Sequence, residues 1–200
     1  IGNVTSKDFL FSSSSRGPNK DGRIKPEICA DGVEIYTTGN RDNYNLAKGT
    51  SQSSPGIAGV LGQLYHAYHT FTGNNAPSSL IKAILMNTAE DLGVNGPDFK
   101  TGYGRVNTMR ALQCLKNNQY LNDNVGQNDS NIHLLSIPTN IEELKIMIYW
   151  HDKEASLSAT KDLVNDLDMK LIGPSGTLLP WRLNPTPNAA TLNDPAIRDY

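Results

Sequence analysis

From Ser51 onward the apolar positions Ile57, Val60, Leu61, Leu64, Tyr65 and Tyr68 recur at intervals of three and four, which predicts a helix with one apolar face. Ala58, Ala67 and the glycines at 56, 59 and 62 lie on the same stretch and permit close packing. Glycine is a poor helix former, so its repeated use here predicts a deeply buried helix whose neighbours need the space. A second helix, capped by Ser78 or Ser79 and running through Thr88, turns Leu80, Ile81, Ile84 and Leu85 inward. A shorter third helix, Thr108 to Leu115, follows the turn Gly102-Tyr103-Gly104. Ahead of the helices, Thr5 to Lys25 is polar and turn-rich. Gly32 to Thr38 reads as a short strand carrying Val33, Ile35 and Tyr36 between glycines 32 and 39.

After Lys116 the period changes. Residues 119–131 form a polar linker rich in Asn, Asp and Gln, separating a first unit at 1–118 from a second at 132–200. In the second unit Leu144, Ile146, Ile148 and Trp150 alternate with Lys145, Met147 and Tyr149. Leu163, Leu167, Met169 and Leu171 alternate with Asp166, Asp168 and Lys170. The turn Gly173-Pro174-Ser175-Gly176 and a return strand, Thr177 to Arg182, complete what reads as part of an antiparallel β-sandwich.

Composition narrows the function. At 38% hydrophobic residues the chain has material for a core, and low-complexity disorder is excluded. A net charge of -2 removes the electrostatic case for nucleic acid or an anionic membrane. The longest apolar run, Ile146 to Trp150, falls far short of the ~20 residues of a membrane span. Two cysteines, Cys29 and Cys114, imply no disulfide framework; buried free thiols are favoured, with one bridge left open. Ile1 is not a start methionine, no signal region precedes it, and residues 184–199 are loop-like, so the chain reads as a piece of something longer.

Candidate chemistry lies in Gly49-Thr50-Ser51-Gln52-Ser53-Ser54-Pro55-Gly56-Ile57-Ala58-Gly59. A serine here enters a helix beside free backbone N–H groups and the positive end of the helix dipole. An oxyanion formed when Ser51 Oγ attacks a carbonyl meets donors already in place. Gly49 lets a bound backbone approach, and Pro55 is expected in the first helical turn, where its missing N–H costs little. By itself such a serine is equally an N-cap.

The whole string resembles the nucleophile motif of the subtilases, the subtilisin-like serine proteases. Phe11-Ser12-Ser13 with Arg16-Gly17-Pro18, Lys25-Pro26-Glu27-Ile28 with Ala30-Asp31-Gly32-Val33, and Gly102-Tyr103-Gly104-Arg105-Val106-Asn107 resemble further motifs of the family, in its order. The resemblance implies the C-terminal part of a three-layer α/β peptidase domain. Ser51 is then the catalytic nucleophile, in an oxyanion and substrate-binding loop of Gly49, Thr50 and Ser51. It implies that the catalytic Asp and His and the oxyanion Asn lie before residue 1, so this piece alone is expected to be inactive. His66 and His69 do not substitute, since at 1.5 Å per residue they stand roughly 22 and 27 Å along the helix from Ser51. Nothing places His133 or His151 near Ser51. Departures are Gln52 for a usual Met, Gly56 for a common His, and Asp31 for a Pro. They keep open a non-catalytic surface or binding protein on the same scaffold.

In the second unit Ile148-Tyr149-Trp150-His151-Asp152, Ala155-Ser156 and Leu163-Val164-Asn165-Asp166-Leu167-Asp168 resemble the C-terminal β-sandwich (jelly-roll) domain of large secreted bacterial alkaline subtilases. Two alternating strand carboxylates, Asp166 and Asp168, sit about 7 Å apart on one face. With Asp152 and Asn165 they are a candidate Ca²⁺ set, against the alternative of a solvated acidic face. No cofactor is expected for catalysis. The resemblance further implies a protein or peptide substrate and an extracellular or periplasmic setting. It gives no reading of peptide specificity or oligomeric state.

Overall fold

The inward faces of three helices meet over a short parallel strand pair in the computed structural model, which describes residues 1–186, 188 and 190–198. Strand β1 (Gly2–Val4) runs parallel to β2 (Cys29–Asp31), with Asn3 opposite Ala30. The antiparallel hairpin β3 (Ile35–Thr38) and β4 (Tyr44–Ala47) then leads into α1 (Thr50–Thr72). Helices α2 (Ser78–Asn87) and α3 (Thr108–Lys116) follow. Ile28 and Ala30, Ile57 and Leu64 of α1, all four inward residues expected of α2, and Ala111, Cys114 and Leu115 of α3 share one core. Ile81 at its centre is 0% exposed; burying a side chain of that size contributes about 1.5–3 kcal/mol.

The turn at 102–107 fastens α3 to the strands. Cys29 N–H donates to Gly104 O at 2.8 Å, and Val106 N–H donates to Cys29 O at 2.9 Å. Asn107 then caps α3, its Oδ1 accepting from Arg110 N–H at 2.9 Å. Arg105 between them pairs with Asp8 and Glu90. Both thiols are free and buried, Cys29 Sγ donating to Thr101 O at 3.4 Å. Burial, with Asp98 nearby, pushes the Cys29 thiol up to about 12.

Four local expectations change. The strand expected at Gly32–Thr38 begins only at Ile35, because Glu34 turns the chain at φ 59. Helix α2 is capped by Pro77, with no side-chain cap; Ser78 is already its first helical residue. Pro55 lies inside α1 rather than in its first turn, because the helix starts at Thr50. Lastly, α1 is less deeply buried than its glycines suggest. Only Ser53, Ile57 and Leu64 are buried, and a Cβ at Gly56, Gly59 or Gly62 meets nothing within 4 Å. The strands and the other helices pack on one side of α1, and no described element covers the other.

The second unit departs furthest from expectation. No β-sandwich forms among the described residues, and 117–170 contain neither helix nor strand. Leu144, Ile148, Leu163 and Val164 are exposed. Alternation supplies an apolar face, but a strand also needs a hydrogen-bonding neighbour and cover for that face. Here the N–H groups of Val164 and Asn165 donate to the Asp152 carboxylate instead of to a strand. The turn at 173–176 does close a hairpin, β5 (Leu171–Gly173) with β6 (Gly176–Leu178). The expected return strand breaks after Leu178, and Trp181–Arg182 (β7) pairs with Ile197–Arg198 (β8). The loop-like reading of 184–199 lies partly outside the described residues; within it, 191–193 form one 3-10 turn. Among the described residues no helix is long and apolar enough to cross a membrane.

Candidate active site

Helix α1 starts without a side-chain cap. Its N-cap is Gly49, at φ 134 and ψ 170, backbone space that a residue with a Cβ seldom enters. Gly49 N–H donates to Gly32 O at 2.8 Å, while Gly49 O accepts from Gln52 N–H at 3.0 Å and from Ser53 N–H at 3.4 Å. The N–H groups of Thr50 and Ser51 have no acceptor among the described residues. Two open donors therefore point out of the helix end, where the dipole amounts to about half a positive charge. Ser51 sits there exposed, its hydroxyl bonded to no other described residue. Pro55, with no N–H, cannot donate to Ser51 O as an ordinary residue at that position does.

The other side of the same turn is closed and polar. Ser53 is 0% exposed, its Oγ 3.1 Å from Ala30 O and 3.3 Å from Asn3 Oδ1. A hydroxyl has one proton, so the two acceptors share it. Asn3 is also 0% exposed; its N–H donates to Ser14 Oγ at 3.0 Å, and its Nδ2 is buried without a partner among the described residues. Gly32 fits between them only because it lacks a Cβ, which stands 2.6 Å from both Asn3 Oδ1 and Gly49 O and closer still to Ser53 Oγ. Gln52, beside Ser51, carries a buried Oε1 without a partner among the described residues.

The sequence gives no hint of Asn3, and it reads Ser53 only as part of a string. The one available signal is spacing, because a residue two places after Ser51 faces the opposite side of the helix.

No hydrogen bond or ion pair joins a described histidine to Ser51. His66 and His69 lie further along α1, with His69 Nδ1 3.3 Å from Asn74 O at the helix end. His133 stands 3.6 Å from Asp123, and His151 borders an apolar cleft with Ile57, Leu61, Tyr65, Ile81 and Leu85. At the rim of that cleft Lys82 Nζ donates to Glu27 at 2.7 Å and lies 5.2 Å from the Tyr149 ring centre. Partial burial works against the Glu27 charge, yet Lys82 and Lys25 outweigh it and hold the carboxyl below its ordinary value.

The candidate Ca²⁺ residues do not form a cation cage. The Asp152 carboxylate accepts from the N–H groups of Val164 (2.7 Å), Lys153 (2.9 Å) and Asn165 (3.0 Å), and from Asn165 Nδ2 at 2.7 Å. Those donors, Val164 first, hold its pKa below the ordinary value. A carboxylate ringed by N–H donors has little left for a cation, and Asn165 turns its amide nitrogen, not its oxygen, to the cluster. Asp166 and Asp168 are exposed. Among the described residues no group of three or more His, Cys, Asp or Glu could hold a metal ion.

Comparison with known proteins bears on the first unit most directly. The Peptidase S8 model, described as the subtilase family, matches residues 1–104. The C5a peptidase of Streptococcus pyogenes is 31% identical over 152 residues, covering 72% of this chain and 12% of that protein. The PII-type proteinase of Lactococcus lactis subsp. cremoris is 30% identical over 128 residues, covering 56% of the chain and 7% of that protein. The chain thus spans a small part of the curated relatives it matches. Among solved structures, the Clostridium perfringens CspB protease aligns over 58% of the chain and 26% of its own, with a TM-score of 0.52 at 24% identity. That likeness concerns the fold.

Proposed function

Because the chain belongs to the subtilase family, we propose that it carries the nucleophile segment of a serine endopeptidase, with Ser51 as the attacking residue. The observation that carries this reading is the exposed Ser51 hydroxyl, free of partners among the described residues at an uncapped helix start beside the open N–H groups of Thr50 and Ser51. Ser51 Oγ attacks the scissile carbonyl carbon and passes its proton to a general base. The carbonyl oxygen takes up the negative charge and lies against the Ser51 N–H at the positive helix end. Collapse of the tetrahedral species breaks the C–N bond, and the leaving amine takes the proton back. Water then releases the acyl group.

His66 and His69 lie three or more turns along α1, and no hydrogen bond or ion pair joins a described histidine to Ser51. The base and its carboxylate partner are therefore assigned to other parts of the intact protein, and the 200 residues alone are inactive. The relatives named peptidase and proteinase support a protein or peptide substrate. The resemblance to secreted subtilases supports an extracellular setting, and no step depends on Ca²⁺.

The test is covalent labelling of the intact protein by a fluorophosphonate, compared with Ser51→Ala. Labelling is expected in the first and lost in the second. Equal labelling of both overturns the assignment by placing the reactive nucleophile elsewhere, and labelling of neither favours the non-catalytic binding scaffold.

A further inference from the structure

We propose that the buried Asn3–Ser53 pair is a positioning device that fixes the rotation of the first turn of α1 and thereby the aim of Ser51. This rests on Ser51 as nucleophile. Successive helical residues are 100° apart, so Ser51 and Ser53 point to nearly opposite sides of one turn. Ser51 faces outward with its hydroxyl bonded to no other described residue, so its own side chain does not fix the turn. The N-cap is a glycine, so no capping side chain sets the turn either. Besides the backbone bond of Gly49 N–H to Gly32 O, the side-chain hold on the turn lies on its inward side. There Ser53 Oγ reaches Ala30 O at 3.1 Å and Asn3 Oδ1 at 3.3 Å, acceptors on the two paired strands. The turn is thereby referenced to β1 and β2, the most buried strands of the fold.

Two further features argue that this contact does more than fill space. Asn3 Nδ2 is buried without a partner among the described residues, so the side chain carries a desolvation cost that an apolar residue at the same place avoids. The amide is explained if its oxygen is needed where it is. Gly32 packs so closely against Asn3, Ser53 and Gly49 that not even a Cβ fits among them. A hydroxyl oxygen about 5 Å from the helix axis moves about 1 Å when the helix rotates by about 11°. A misplacement of about 1 Å is enough to cost about 100-fold in rate.

The experiment is saturation labelling of the intact protein by a fluorophosphonate, with rates expressed per titrated active site so that unfolded molecules do not count. Ser53→Ala deletes one oxygen and introduces the best helix former, so it is the variant most secure in folding. Asn3→Ala tests the other member. Thr101→Val is the control: Thr101 is equally a buried hydroxyl, donating to Asp98 Oδ2 at 2.9 Å, and it belongs to the 98–102 turn rather than to the node.

Ser53→Ala and Asn3→Ala are each expected to lower the maximal labelling rate by about 10–100-fold, with half-saturation changed less than about twofold. The double variant should fall no further than the worse single, and Thr101→Val should label at the wild-type rate. Wild-type rates per titrated site in Ser53→Ala and Asn3→Ala, whatever their melting temperatures, overturn the proposal, as does an equal fall in Thr101→Val. A wild type that does not label removes the Ser51 reading itself, which is a different failure.

Discussion

Replacing one glycine by alanine should have opposite effects at two places in this chain. At Gly32 an added Cβ stands 2.6 Å from Asn3 Oδ1 and from Gly49 O, and closer to Ser53 Oγ. Gly49 O is backbone, already accepting from Gln52 and Ser53, so it cannot swing aside as a side-chain tip does. Overpacking of this kind costs about 1–3 kcal/mol. At Gly59 on α1 the added Cβ meets nothing within 4 Å, and alanine in place of glycine within a helix gains about 0.5–1 kcal/mol. The assay is urea unfolding of the 200-residue chain followed by far-ultraviolet circular dichroism. With a slope of about 2 kcal/mol per molar, the midpoint should fall by about 0.5–1.5 M for Gly32→Ala and rise by about 0.3–0.5 M for Gly59→Ala, at unchanged slope. A Gly32→Ala midpoint at or above wild type refutes the close-packed node. A Gly59→Ala midpoint as low as that of Gly32→Ala refutes the open side of α1.

Two further outcomes follow from single groups. With the Cys29 thiol at about 12 and Cys114 also raised by burial, both should resist a disulfide reagent at pH 8 until urea unfolds the chain. Stoichiometric labelling of the native chain within seconds contradicts their burial. Asp152 has a folded pKa below its ordinary value, so its contribution is complete above the unfolded value of about 3.9 and is lost as pH falls through the lower folded one. The amide chemical shifts of Val164 and Asn165 should therefore stay constant from neutrality to about pH 4 and move only below it. Movement centred near pH 5 or higher is incompatible with the N–H cluster.

The helices were legible because their signal is local. Leu80, Ile81, Ile84 and Leu85 sit at helical spacing and all four are in the core. The Ser51 loop was legible for a second reason, since a glycine, a serine and a proline in a fixed string constrain the backbone wherever they occur. The alternation at 144–150 and 163–171 predicts strand faces, but a sheet is completed by partners distant in sequence, and among the described residues 117–170 form no strand. The Asn3–Ser53 contact spans 50 positions. Neither residue is unusual alone, and only the fold shows that both are wholly enclosed.

Tyr36 on β3 and Tyr44 on β4 stack across the hairpin with ring centres 5.6 Å apart and planes 21° from parallel, on its exposed face. Two chromophores held this close and this nearly parallel couple their electronic transitions, and the coupling vanishes when the strands part. The segment that delivers the chain to Ser51 thus carries its own optical gauge. A near-ultraviolet dichroism band abolished by Tyr36→Leu reports whether the hairpin is zipped while a substrate or an inhibitor is added, with no label attached to the protein.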